Sequence, residues 1–228
     1  MVGDYATLRD LSTYPVSLVC SDVSPVSDSQ PPDALTAKPP HDSAATKRRL
    51  LLAATHEFTE RGIAGARVDR IASAARSNKR LIYDYFVDKD GLFDAVMDAH
   101  LDLIVDAVPI DATDLPGYAG RLFTYSVEHP ELVRLVTWAR LEHRLGPASN
   151  ASRSESYHRR LAAIEAAQLR GQIPTTFTPA QIVRLIESLA VGWTTATSAF
   201  LADTEAGPSQ DPETYREVVV ESVRRILN

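Results

Sequence analysis

Between Asn78 and Phe86 the chain reads NKRLIYDYF, and this is where residue types and spacing suggest chemistry first. Asn78 supplies a side-chain oxygen of the kind that caps the free N–H groups of a new helix. Ile82 and Phe86 stand at i and i+4 and can pin that helix to its neighbours. Lys79, Arg80, Leu81, Tyr83 and Asp84 are then left largely outside. A short rod held by two apolar residues, with cations and a phenol outward, has the form needed to enter the major groove of duplex DNA.

Such a rod needs a support. Immediately before it, Val68, Ile71, Ala72 and Ala75 recur at i, i+3, i+4 and i+7, one apolar stripe on a 3.6-residue period. Arg76-Ser77 is left as a tight corner, so residues 68–86 read as a helix-turn-helix. Upstream, a helix should start near Thr46 with Lys47, Arg48 and Arg49 in its first turn. It carries Leu50, Leu51, Ala54 and Phe58 inward and ends at Arg61-Gly62. Cations in a first turn oppose the helix dipole, which a phosphate partner would explain.

From Thr46 to Met97 the sequence resembles the DNA-binding region of the TetR family of bacterial regulators. The matching pieces are RRLLLAATHEFTERG, VDRIASAA and NKRLIYDYFVDKDGLFDAVM. The Y-x-Y-F followed by x-x-K-[DE]-x-L, here Tyr83 to Leu92, is the most specific part. The family usually places Gly and a small apolar residue at the corner, where this chain has Arg76 and Ser77. An arginine at positive φ there costs on the order of 1 kcal/mol relative to glycine. The resemblance implies that Lys79, Arg80 and Leu81 approach base edges, with Asn78 as the cap. Arg80 would fork onto a guanine and Leu81 touch a thymine methyl. It also implies phosphate contacts from Tyr83, Lys89, Arg67 and Arg48.

The charge distribution agrees with a nucleic-acid partner. The chain carries −6 overall, but residues 46–92 hold ten Lys/Arg against six Asp/Glu, a local +4. Residues 1–45 carry −4 and residues 93–228 carry −6. A basic segment on an acidic body orients the encounter with an anionic polymer.

Three regions follow. Residues 1–45 hold 6 of the 14 prolines and no sustained period, and read as a disordered or loosely attached tail. Residues 46–92 form the helix-turn-helix domain. Residues 93–228 read as a helical effector-binding and dimerisation domain, giving an all-α fold of about nine helices. Within it, helices are expected over Lys89 to Val108, Pro116 to Glu128, Pro130 to Arg144, Ser154 to Arg170, Thr178-Pro179 to Ala202, and from Asp211-Pro212 to the end. Asp94, Asp98, Asp102 and Asp106 form one acidic edge; strung along a helix they cannot converge on a metal ion.

Aromatic and polar residues on otherwise apolar stretches suggest a small-molecule pocket: Tyr118, Phe123, Tyr125, Trp138, Arg140, His143, Trp193 and Thr197. A two-turn recognition helix reaches few base pairs, so a homodimer on a near-palindromic operator is expected. Its interface is expected on the last two helices, through Val183, Ala190, Thr197, Tyr215, Val219, Ser222 and Ile226. In the family these helices form a four-helix bundle between subunits. The resulting expectation is a repressor released from DNA by a small-molecule ligand; an effector-independent regulator or an activator of the same fold is the alternative.

An enzyme is not expected: the chain has no G-x-S-x-G, Walker loop, H-E-x-x-H or cysteine cluster. Glu142 and His143 are adjacent, about 100° apart on a helix, and badly placed for joint acid–base work. No cofactor or metal is expected. Cys20 is the single cysteine, which forbids an intrachain disulfide, and no apolar run approaches ~20 residues. A cytoplasmic location is the expectation.

Overall fold

The computed structural model describes residues 43–142, 151–195 and 211–227. These form nine helices and no strand: α1 (Ser43–Gly65), α2 (Val68–Ala74), α3 (Lys79–Phe86), α4 (Lys89–Ala107), α5 (Leu115–Glu128), α6 (Pro130–Leu141), α7 (Ala151–Leu169), α8 (Pro179–Thr195) and α9 (Pro212–Leu227). The all-α expectation is met, and most boundaries fall where caps and prolines put them. Asn78, Asp88 and Asp114 cap α3, α4 and α5 by accepting hydrogen bonds from backbone N–H groups. Four boundaries move. Helix α1 begins at Ser43, inside the stretch read as tail, and runs past Gly62 to Gly65, α6 ends at Leu141 and α7 begins at Ala151. The remainder of the expected tail, His143 and Thr197 lie outside the described residues.

Two apolar cores account for the packing. The first gathers Leu50, Ala54 and Phe58 of α1, Ile71 and Ala72 of α2, Ile82 and Phe86 of α3 and Leu92, Phe93, Val96 and Met97 of α4. Phe58 and Phe93 meet edge to face at 5.1 Å between ring centroids. Leu135 and Ala139 of α6 close this core from the far side. The second core joins α5, α7, α8 and α9 through Tyr118, Leu122, Phe123, Ile164, Ile182, Ile186, Val219 and Val223. Helix α4 serves both cores, since Ile104 packs against the second. The expected division at residue 92 therefore cuts a packed unit, because Phe93, Val96 and Met97 are buried with the helix-turn-helix.

Helix α1 is kinked at Gly62, whose φ of 66° and ψ of 177° belong to a region only glycine occupies readily. A Cβ at this position would come within 2.9 Å of the Trp138 ring on α6. The glycine read as the end of helix 1 thus bends the chain under Trp138 and permits a further turn to Gly65.

Candidate nucleic-acid interface

The corner between α2 and α3 is a Schellman turn. Ser77 N donates to Ala72 O at 2.9 Å and Arg76 N donates to Ser73 O at 3.0 Å, so two end carbonyls of α2 are satisfied. Arg76 occupies the left-handed position, φ 48°, as the missing glycine required. The Asn78 Oδ1 then accepts from Arg80 N at 2.9 Å and starts α3. A second irregular turn ends it: Val87 sits at φ 69° and ψ −53°, and Asp88 N donates to Phe86 O at 2.7 Å. This is the geometry of a γ-turn, strained for a β-branched residue. Helix α3 is thus eight residues long, with both ends fixed and only Ile82 and Phe86 buried.

The outer surface of α3 carries the expected groups. Arg80 is the most open, its side chain 86% exposed. Tyr83 is exposed. Lys79 reaches back to Asp69 on α2 at 2.9 Å. Their mutual hydrogen bond raises the lysine pKa and lowers that of the aspartate. Leu81 differs from expectation: it is half-buried against the first core, because residue 81 borders the Ile82 line, so only part of its side chain remains outward.

Arg67 is exposed at the start of α2, with its backbone N–H donating to Glu57 Oε1 at 3.0 Å. Arg48 is half-buried in α1. Because α1 begins at Ser43, Lys47-Arg48-Arg49 fall in its second turn and not in the expected first. The start of α1 lies beside the end of α3, where Lys47 Nζ sits 5.9 Å from the Phe86 ring and Ser43 Oγ lies 3.1 Å from the Tyr85 hydroxyl. Lys47 therefore joins this surface. Its place could be inferred from the run Lys47-Arg48-Arg49, but which cation faces α3 is set by packing.

The Lys89 ammonium donates to Ile63 O at 2.7 Å and Ala66 O at 3.4 Å, tying the end of α1 to the start of α4. A side chain turned onto those carbonyls positions α3 and α4. Glu57 is a second positioning group that sequence reasoning missed. It accepts from Arg70 Nε at 2.8 Å and from Arg67 N, and it pairs with Arg61 at 3.6 Å. Burial raises its pKa, but hydrogen bonds from Arg70 and Arg67 and the charges of Arg70 and Arg61 outweigh this and hold the carboxyl below its usual range. The carboxylate thereby fixes the start of α2.

The expected pocket residues divide between the cores. Tyr118 and Phe123 are buried in the second, and Tyr125 and Trp193 pack against it. Trp193 lies on Tyr215 at 5.2 Å and Tyr125 on His129 at 4.1 Å. Trp138 and Arg140 do not join them. Leu135 and Ala139 turn α6 toward the first core, so Trp138 covers Gly62 while Arg140 is exposed. In their place the structure supplies Arg160 of α7, whose Nη1 donates to Glu187 of α8 at 2.9 Å and which also bonds Tyr118. Burial raises the Tyr118 pKa, partly offset by the Arg160 charge and hydrogen bond. The i, i+4 and i+8 series Ser156, Arg160, Ile164 was the available signal for this inward face.

The expected dimer residues also divide. Val183, Ala190 and Val219 are fully or almost fully buried in their own chain's second core and cannot face a second copy. Tyr215 and Ser222 are half-buried and Ile226 is exposed. The outward faces are Gln181, Arg184 and Ser188 on α8 and Glu217, Val218 and Ile226 on α9.

A basic, externally displayed α3 on a helix-turn-helix, joined through α4 to a separate helical core, defines a DNA-binding transcriptional regulator of two-part helical build. Residues 50–96 match the model for bacterial regulatory proteins of the tetR family, and residues 114–225 match that for a tetracyclin repressor-like C-terminal domain. The chain is 35% identical over 188 residues to the HTH-type transcriptional repressor SCO4008 of Streptomyces coelicolor, covering 82% of this chain and 97% of that protein. It is 32% identical over 108 residues to the HTH-type transcriptional repressor NicS of Pseudomonas putida, 44% of this chain and 50% of that one. The crystal structure of SCO4942 from Streptomyces coelicolor superposes with a TM-score of 0.67 at 33% identity, over 80% of this chain and 98% of that one. The chain belongs to the TetR family. No helix among the described residues is long and apolar enough to cross a membrane.

Proposed function

We propose that this regulator is a repressor acting as a homodimer on a near-palindromic operator, and that a small molecule held in the C-terminal helical body releases it. The observation that carries the reading is the form of α3: eight residues, two of them buried, with Arg80 almost wholly in solvent. One such helix reads a few base pairs, and a two-fold pair places two of them on successive major grooves. The outward faces of α8 and α9, where Val218 and Ile226 remain exposed, are the surfaces for pairing. A ligand that prefers the conformer with wrongly spaced recognition helices would shift the population away from DNA. The second core, with Tyr118, Phe123, Trp193 and the Arg160–Glu187 pair, has the mixed apolar and polar character for such a ligand. The two repressors named above, at 35% and 32% identity, support the sign of regulation.

Selection of bound fragments from the source genome, followed by anisotropy titration on the enriched duplex, tests this. Tyr83→Ala should weaken binding to every sequence. Arg80→Ala should relax preference at one position of each half-site, with a loss of about 1–3 kcal/mol on the cognate site. Equal losses on cognate and scrambled duplex would overturn the assignment of Arg80. A monomer at the binding concentration would overturn the dimer.

A further inference from the structure

Asp84 is the one carboxylate on the outer line of α3, and the regulator reading gives it no role. At ~100° per residue, Arg80 and Asp84 each lie about 160° round the helix from the buried Ile82. They are therefore the residues that penetrate furthest when this helix enters a groove. Both are open, with side chains 86% and 53% exposed. Arg80 Nε stands 3.9 Å from Asp84 Oδ2, close enough to pair electrostatically and too far for a hydrogen bond. The carboxylate thus arrives at the DNA with acceptor capacity unused.

A negative charge at the deepest point of an anionic groove is unfavourable unless the floor offers a donor. Among base edges in the major groove, the cytosine N4 amino group is a donor with no neighbouring acceptor on the same base. Adenine also offers a donor, but its N7 lone pair lies beside it and repels a carboxylate. Guanine and thymine present acceptors. The backbones of the two residues are ~6 Å apart along the helix axis, but their charged groups converge to 3.9 Å, close to the ~3.4 Å step between base pairs along the duplex. A guanidinium and a carboxylate so spaced address neighbouring base pairs.

We infer that Asp84 is a specificity-determining residue that accepts from a cytosine N4 amino group on the base pair next to the guanine read by Arg80. This rests on the DNA-binding reading of α3. It also assigns the negative charge a use: Asp84 weakens binding to random duplex and restores affinity only where cytosine is present.

The experiment is selection from a randomised duplex library with the full-length wild type, Asp84→Asn, Asp84→Ala and Arg80→Ala. The wild type should enrich half-sites with an invariant cytosine beside an invariant guanine. Asp84→Asn should change the preferred base at that one position from cytosine to adenine, whose N6 and N7 match a carboxamide, by about ten-fold. Asp84→Ala should lose preference there by a similar factor, and both variants should hold random duplex more tightly than the wild type. If both variants enrich the wild-type motif unaltered, the inference fails while the regulator reading stands. If only the guanine position blurs, Asp84 acts by orienting Arg80 and the cytosine assignment is overturned. A wild type that enriches no motif would overturn both.

Discussion

Arg76→Gly should make this protein more stable although it removes a side chain. Arg76 occupies the left-handed position of the turn between α2 and α3 at φ 48°. There a Cβ crowds the backbone, and glycine avoids a penalty of on the order of 1 kcal/mol. The two hydrogen bonds of the turn, Ser77 N to Ala72 O and Arg76 N to Ser73 O, use only backbone and survive the change. The arginine side chain is exposed, so little packing is lost. The same turn occurs after α7 with glycine already in place: Gly171 has φ 69°, and Gln172 N donates to Ala167 O at 2.9 Å. No atom lies within 4 Å of a Cβ built there, so Gly171→Ala isolates the torsional cost without a clash. Arg76→Gly should therefore gain about 1 kcal/mol and Gly171→Ala lose about as much. For a chain of this size that is a Tm shift of roughly 2–4 °C in opposite directions, measurable by calorimetry. The reasoning is refuted if Arg76→Gly leaves Tm unchanged or lowers it while Gly171→Ala behaves as expected, because the two turns share one hydrogen-bond pattern.

Two further perturbations separate positioning from contact. Lys89→Met keeps the aliphatic stem and deletes the donor to Ile63 O and Ala66 O, so it should cost about 1–2 kcal/mol of stability. The salt dependence of DNA binding should keep its slope; a slope reduced by ~1 with unchanged Tm would mark Lys89 as a phosphate contact. Glu57 has its folded pKa depressed, so its ionised form contributes stability above the unfolded pKa of about 4.3 and loses it as pH falls through the folded value. Glu57→Gln should cost about 2 kcal/mol at pH 7, and the gap to the wild type in urea melts should narrow below pH ~4. A gap constant from pH 7 to pH 3 would show that the carboxylate charge is not what fixes α2.

Local signals settled most of the architecture. The capping residue Asn78, the prolines at 116, 130, 179 and 212 and the 3.6-residue stripes act within a few residues of themselves, so helix order and the position of the corner were legible in the sequence alone. The left-handed turn at Arg76 was legible too, as a demand made by the geometry on whichever residue stood there. What only the tertiary structure decided was the partner of each apolar or charged face. Val183, Ala190 and Val219 lie on stripes that a second subunit or the chain's own α5 could equally have covered, and the chain's own core took them. Trp138 left the expected pocket because α6 turns Leu135 and Ala139 toward the first core. Lys89 carries a charge suited to phosphate, yet the carbonyls at the end of α1 lie within its reach. Periodicity fixes that a face must be buried, and charge fixes that an ion must be solvated or paired. Neither specifies against what, because that depends on which segments distant in sequence arrive alongside.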